Sequence, residues 1–147
     1  MKILALEFSS QQRSVAVTDD ADVLSEITTD QLKTGPLILI EQALEQAQID
    51  REEIQCLALG IGPGSYTGIR SAIAVAQGWQ LARDTPLCAV SSAEILAATA
   101  RRNGLRGETH FIIDAQRHEY YHCAWKLDDQ AQLETTPLRI IGVTSAA

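Results

Sequence analysis

The segment that most constrains the fold is a glycine-rich loop between an apolar run and a run of small residues. Residues Cys56 to Ile61 are apolar and predict a buried strand, whereas Ser65 to Ala82 predict a helix. Gly62, Pro63 and Gly64 stand between them and break regular structure. A strand, a glycine loop and a helix in this order direct backbone N–H groups and the positive end of a helix dipole toward one point.

This loop has two interpretations, and the spacing favours neither. In the first, Gly62, Gly64, Ser65 and Thr67 hold an anion such as phosphate. In the second, the glycines only let the chain turn and the helix pack closely. Ser65 or Thr67 is predicted to cap the first turn of the helix. No Lys-Ser or Lys-Thr pair ends the loop and no GxGxxG is present, which excludes a Walker P-loop and a dinucleotide fingerprint.

Residues 62–70 read Gly-Pro-Gly-Ser-Tyr-Thr-Gly-Ile-Arg, which resembles the GPGSxTGxR signature of the TsaB (YeaZ) family. The resemblance implies a non-catalytic accessory subunit that helps to make threonylcarbamoyladenosine on tRNA. It implies pairing with a TsaD-type transferase, a TsaE-type ATPase as a further partner, and a homodimer when the chain is alone. It also implies that this chain requires no cofactor of its own, with ATP or ADP bound at the interface with a partner.

The same resemblance implies the actin-like/Hsp70 ATPase fold, whose lobes are ribonuclease H-like. In that fold the turn after the first strand contacts phosphate, which makes Ser9 a candidate ligand. Glu7 stands where the family usually has Asp and reaches one methylene further. Glu7 is therefore either a displaced site carboxylate or a strand-end carboxylate that faces solvent.

The net charge of −7, from 12 basic and 19 acidic side chains, limits the partners of this chain. Contacts to nucleic-acid phosphates need clustered Lys and Arg, so the chain is not expected to grip tRNA by itself. Neither a signal peptide nor a run of membrane-spanning length is visible, which predicts a cytoplasmic protein. The three cysteines lack metal-ligand spacing and are predicted to be small buried residues in a reducing compartment.

The pattern along the chain predicts one α/β lobe and the beginning of another. Alternating residues predict an antiparallel meander of three strands, at 2–8, 13–18 and 23–29. A helix to about residue 48, the central strand, the loop helix, a strand at 87–90 and a helix capped by Ser91 follow. The order βββαβαβα predicts a mixed sheet in a ribonuclease H-like lobe at 1–108, followed by an incomplete, β-rich second lobe at 109–147.

Two helices carry more apolar residues than one core contact needs. The additional apolar residues either contact a partner subunit or are buried in the core of this chain. TsaB-like proteins pair through these helices, so the resemblance favours the partner, with Ala72→Arg or Leu44→Glu expected to abolish pairing and leave the monomer folded. The predicted interface residues are Leu37, Ile40, Leu44, Ala47, Gly68, Ile69, Ala72, Ile73 and Ala76.

Residues His118 to His122 read His-Glu-Tyr-Tyr-His and match the HExxH motif of zinc peptidases. That chemistry needs both histidines one helical turn apart. The flanking residues alternate with period two, and residues four apart on a strand lie roughly 13 Å from each other. The sequence therefore favours polar residues on a strand and predicts no metal site.

Two other functions compete with the accessory role. A phosphotransferase or ATPase of the same fold needs a second phosphate loop and a carboxylate from the second lobe. A hydrolase needs either a working HExxH site or several carboxylates that converge from the central strands, where only Glu7 is available. No catalytic residue is predicted.

Overall fold

The computed structural model describes residues 1–31 and 33–142. They divide into two compact units. The first contains residues 1–61 and 65–90, and the second contains residues 62–64 and those from 91 onward. Each unit has a sheet and a hydrophobic core of its own.

The first unit is built on a five-stranded mixed sheet, as the sequence predicts. Its strands are β1 (Lys2–Glu7), β2 (Arg13–Asp19), β3 (Asp22–Thr29), β4 (Cys56–Gly60) and β5 (Leu87–Val90), in the order β3-β2-β1-β4-β5. The first three pair as the predicted antiparallel meander, while β4 is parallel to both β1 and β5. Leu4, Leu6, Val15 and Val17 alternate with less buried residues and turn one face of the sheet into the core.

Two helices cover that face. They are α1 (Pro36–Ala47) and α2 (Tyr66–Arg83), and a single 3-10 turn at Arg51–Glu53 precedes β4. Pro36 begins α1, where a fixed φ is favourable and a missing N–H costs nothing. The Ser25 hydroxyl donates to the Ala43 carbonyl across 2.7 Å inside the core, which ties α1 to β3.

The small residues of α2 face the sheet and not a partner. Gly68, Ala72 and Ala76 are its buried residues, and the two alanines have no exposed surface. The expectation that this row is open to another subunit is wrong, because small side chains are what allow α2 to lie close to β1 and β4. An arginine at position 72 would be forced into the core, so that variant would not leave the monomer folded.

Most of the predicted interface on α1 also belongs to the core. Ile40 is buried, and Leu44 and Ala47 are partly buried against the same cluster. Glutamate at position 44 would therefore disturb the core as well as any pairing. Leu37 is the one predicted residue of α1 that is exposed.

The second unit pairs α3 (Ser92–Arg102) with a three-stranded antiparallel sheet. The strands are β6 (Gly107–Gln116), β7 (Glu119–Leu127) and β8 (Gln132–Gly142), in that order. Ala97 and Ala100 of α3 pack on Leu127. This contact groups α3 with residues that follow it, whereas the sequence-based boundary at residue 108 placed it in the first lobe. Residue 143, the predicted end of the last strand, lies outside the described residues.

Hydrogen bonds close both ends of α3. The Ser91 hydroxyl accepts from the Glu94 N–H across 3.1 Å, which confirms the predicted cap. At the other end Arg106 Nη1 donates to the Arg101 carbonyl, and Arg106 Nε donates to the Asp129 carboxylate, each across 2.8 Å. Positive side chains suit the negative end of a helix dipole.

Candidate functional site

The candidate site lies where two parallel strands end. The register pairs Leu6 of β1 with Leu59 of β4, so Glu7 and Gly60 finish at the same edge of the sheet. In open α/β sheets, ligands bind outside the carboxyl ends of parallel strands. The first turn of α2 begins beside this edge.

Two of the predicted site residues meet at the start of α2. The Ser65 N–H donates to the Ser9 carbonyl across 2.6 Å, and the Ser65 hydroxyl accepts from the Gly68 N–H across 3.3 Å. Ser65 is therefore the cap, one of the two residues that the sequence offered. Thr67 is exposed in the first turn.

Gly68 is required by a close approach of backbone to backbone. A Cβ added at this position would lie closer than 3.0 Å to the Phe8 carbonyl oxygen, a distance that side chains essentially never show. Phe8 directly follows β1 and is fully buried. At Gly68 the interpretation that glycine allows tight packing is thus correct.

Gly62 and Gly64 belong to the second unit and have special backbone conformations. Their φ angles are 89° and 156°, and the peptide bond between Gly62 and Pro63 is cis. The Ser92 N–H donates to the Gly62 carbonyl across 2.8 Å. Residues with a side chain rarely adopt such angles, which explains both glycines by conformation. Anion binding at this loop stays a prediction.

Glu7 is turned into the protein and not toward solvent. Its Oε1 accepts from the Ser9 N–H across 2.7 Å. Its Oε2 is buried and has no hydrogen-bond partner within residues 1–31 and 33–142. A Cβ at Gly60 would collide with this carboxylate, so glycine at the end of β4 makes room for Glu7.

The Glu7 carboxylate, with one hydrogen-bonded oxygen and one without a partner in the described residues, limits which ligands the site can bind. Carboxylate oxygens suit hard cations such as Mg²⁺, and they repel a phosphate that approaches without one. Ser9 and Ser65 already use backbone groups in bonds to Glu7 and to each other. The edge is consequently organised by contacts within the chain.

The three cysteines differ in exposure. Burial raises the pKa of the Cys56 and Cys123 thiols, which keeps both in the poorly nucleophilic thiol form. Cys123 is buried, Cys56 is partly buried and Cys88 is exposed, which corrects the prediction that all three are buried. Cys56 lies on β4, the fourth strand of the sheet order, and Cys88 lies on the neighbouring β5, where the register pairs it with Ala58.

The HExxH residues do not form a helix. His118 lies in the turn after β6, Glu119 begins β7, and His122 lies within β7. Within the described ranges, no group of three or more His, Cys, Asp or Glu residues is placed to hold a metal ion. No helix in the same ranges is long and apolar enough to cross a membrane.

The sequence did not predict two contacts, one at the sheet edge and one in the second unit. Glu7 meets Gly60 across 53 positions of chain, and His110 meets His122 across 12. Both depend on which strands are neighbours and in what register. No local pattern reports that register, although alternation does place each residue on a face.

Comparison with known proteins shows what this arrangement resembles. A family model described as TsaD, tRNA N6-adenosine threonylcarbamoyltransferase, matches residues 8–138. The tRNA threonylcarbamoyladenosine biosynthesis protein TsaB of Escherichia coli is 30% identical over 131 residues, covering 88% of this chain and 57% of that protein. TsaB of Bacillus subtilis is 30% identical over 125 residues, covering 82% and 53%. YeaZ from Pseudomonas aeruginosa superposes with a TM-score of 0.88 at 28% identity, covering 99% of this chain and 69% of that one.

The mixed sheet, the two helices over it and the second sheet define the class as an α/β protein of the actin-like ATPase type. The chain belongs to the family that the TsaD model describes, and within it to the TsaB (YeaZ) proteins. The resemblance carried by residues 62–70 is confirmed. The chain spans about half the length of the curated relatives that it matches.

Proposed function

We propose that this chain is a non-catalytic accessory subunit in the formation of threonylcarbamoyladenosine on tRNA. It pairs with a TsaD-type transferase in the cytoplasm, and a TsaE-type ATPase is a further partner. The relatives from Escherichia coli and Bacillus subtilis, named as biosynthesis proteins for this nucleoside, support the proposal. So does the match to the TsaD family model.

The observation that carries the pairing is apolar surface left exposed on two helices that contact each other. Leu37 and Ile38 of α1 are 65% and 51% exposed, and Tyr66 and Leu81 of α2 are also exposed. We call these four residues the α1–α2 surface. Leu37 and Ile38 are adjacent at the start of α1, whereas Tyr66 and Leu81 lie near opposite ends of α2. Exposed apolar residues on neighbouring helices are typical of a surface that another protein covers. This set shares Leu37 with the predicted interface, of which the partly buried Ile69 and Ile73 stay a prediction.

The negative charge of the chain supports the proposal that the transferase, and not this chain, contacts tRNA. The excess of seven acidic side chains disfavours direct contact with tRNA phosphates. Glu41 and Glu45 are exposed on α1, the helix that carries Leu37. The transferase subunit therefore supplies the positive surface for tRNA and the reacting groups.

The internal bonds at the sheet edge support a chain that needs no cofactor of its own. The Ser65 N–H and hydroxyl are both engaged within the chain, as is one oxygen of Glu7. ATP or ADP then binds at the interface with a partner, where the second protein contributes the remaining contacts.

The double variant Leu37→Glu/Ile38→Glu tests the α1–α2 surface. It places two charges on exposed positions and should weaken binding to the host's TsaD-type protein at least about tenfold, equivalent to about 1.4 kcal/mol. The matched control is Leu133→Glu/Ile140→Glu in the second unit, whose positions are 65% and 56% exposed.

Affinity is measured by calorimetric titration, and far-UV circular dichroism checks that both variants fold. The control should bind like the unmodified chain. Equal affinity for all three proteins would show that the α1–α2 surface is not the docking site. Loss of binding in both variants would show that the effect is unspecific charge.

A further inference from the structure

Two histidines from neighbouring strands lie in direct contact in the second unit. His110 Nδ1 of β6 is 3.0 Å from His122 Nε2 of β7. The rings are stacked with centroids 5.3 Å apart and planes inclined by 14°. The register pairs His122 with Ile112 and His110 with Ala124, so the two imidazoles are diagonal neighbours across the antiparallel pair.

The two nitrogens share a hydrogen bond whose donor depends on the tautomer, and the distance between them also suits a shared metal ion. Zinc–nitrogen bonds of about 2.0–2.1 Å at a tetrahedral angle separate two ligating nitrogens by about 3.3 Å. At a right angle, as in square-planar copper, the separation is about 2.9 Å. The observed 3.0 Å lies between these values, so a cation that replaces the shared proton fits the separation of the two nitrogens.

The other nitrogen of His122 does not fix how the ring is protonated. His122 Nδ1 is enclosed, and it has no hydrogen-bond partner within the described part of the chain. A carbonyl or carboxylate at Nδ1 would dictate which ring nitrogen carries the proton. Without one, the proton can reside on Nδ1, which leaves the lone pair of Nε2 directed toward His110.

We propose that His110 and His122 form a binding site for a divalent cation that prefers imidazole ligands, such as Zn²⁺, with water completing the coordination. The site joins β6 to β7 and does not use the HExxH pattern, because His118 lies in the turn and not beside His122. Arg139 stands opposite His122 in the register with β8 and lowers the affinity for a cation. The site is therefore a two-ligand one of modest strength.

The test is a calorimetric titration of the tag-free chain with Zn²⁺, alongside the variants His110→Ala, His122→Ala and His118→Gly. His110 and His118 are exposed, so their replacement leaves the core intact. The expected result is one zinc ion per chain, with affinity reduced about tenfold or more in His110→Ala and His122→Ala, since even outer-shell changes cost 10–100-fold. His118→Gly, the matched control from the same hairpin, should bind like the unmodified chain.

Nuclear magnetic resonance of the imidazole nitrogens provides a second readout. Zinc should shift the signals of His110 and His122 and leave those of His118 in place. No saturable binding, or an affinity in His110→Ala equal to that of the unmodified chain, would overturn the proposal. Equal loss in His118→Gly would also overturn it and point to the HExxH residues instead.

Discussion

Gly68 and Gly78 lie on the same helix, yet alanine should have opposite effects at the two positions. At Gly68 the new methyl group meets the Phe8 carbonyl, so α2 must move away from β1 and the protein loses about 1–3 kcal/mol of stability. At Gly78 nothing lies within 4 Å, and alanine should stabilise the helix by about 0.5–1 kcal/mol. Urea denaturation gives the free energy of unfolding for both. Similar values would contradict the close approach at Gly68.

Arg117 and His118 form a strained turn between β6 and β7. Their φ angles are 54° and 65°, in the left-handed region that costs a residue with a side chain about 1–2 kcal/mol. Two-residue hairpin turns with positive φ at both positions favour Asn-Gly. The change Arg117→Asn/His118→Gly should therefore raise the free energy of unfolding by about 1 kcal/mol or more. A thermal shift downward in the double variant would rule out this strain.

The turn that connects β7 to β8 makes stability depend on pH. The Ala131 and Gln130 N–H groups donate to the Asp128 carboxylate across 2.7 and 2.8 Å, and these bonds hold the pKa of Asp128 below its ordinary value. A lowered pKa in the folded state means that the contribution is present above the unfolded value of about 3.9 and is lost as the pH falls through the folded pKa.

Asp128→Asn keeps the acceptor oxygen but removes the titration. Between about pH 5 and pH 2.5, its free energy of unfolding should fall less steeply than that of the unmodified chain. Urea denaturation at several pH values measures the two slopes. Parallel slopes would mean that other carboxylates account for the acid sensitivity.

The sequence predicts most helices and strands correctly, but it does not predict what each face of a helix packs against. Alternation predicts β1, β2 and β3, and the glycine loop predicts β4 and α2, because period and breakers are local signals. The row of Gly68, Ala72 and Ala76 is also correctly assigned to one face of a helix. The row does not say whether the sheet or a partner covers that face, and the structure shows that it is the sheet.

On the scale of the molecule, the division into units depends on contacts between distant residues. Helix α3 packs in the second unit against Leu127, which lies 25 residues beyond Arg102, the last residue of the helix. An alanine-rich helix is compatible with either neighbouring sheet, so composition does not identify its partner. The candidate site shows the same limit, because Ser9 and Ser65 are predicted one by one but their bond depends on where β1 ends.

The central proposal is that this chain acts by binding a catalytic partner and has no catalytic role of its own. The most direct test is the light-scattering mass of an equimolar mixture with the TsaD-type transferase from the same organism. The predicted result is a single species with the summed mass, and tRNA that is modified only when the transferase is present. Two separate masses, or tRNA modified by this chain alone, would contradict the claim.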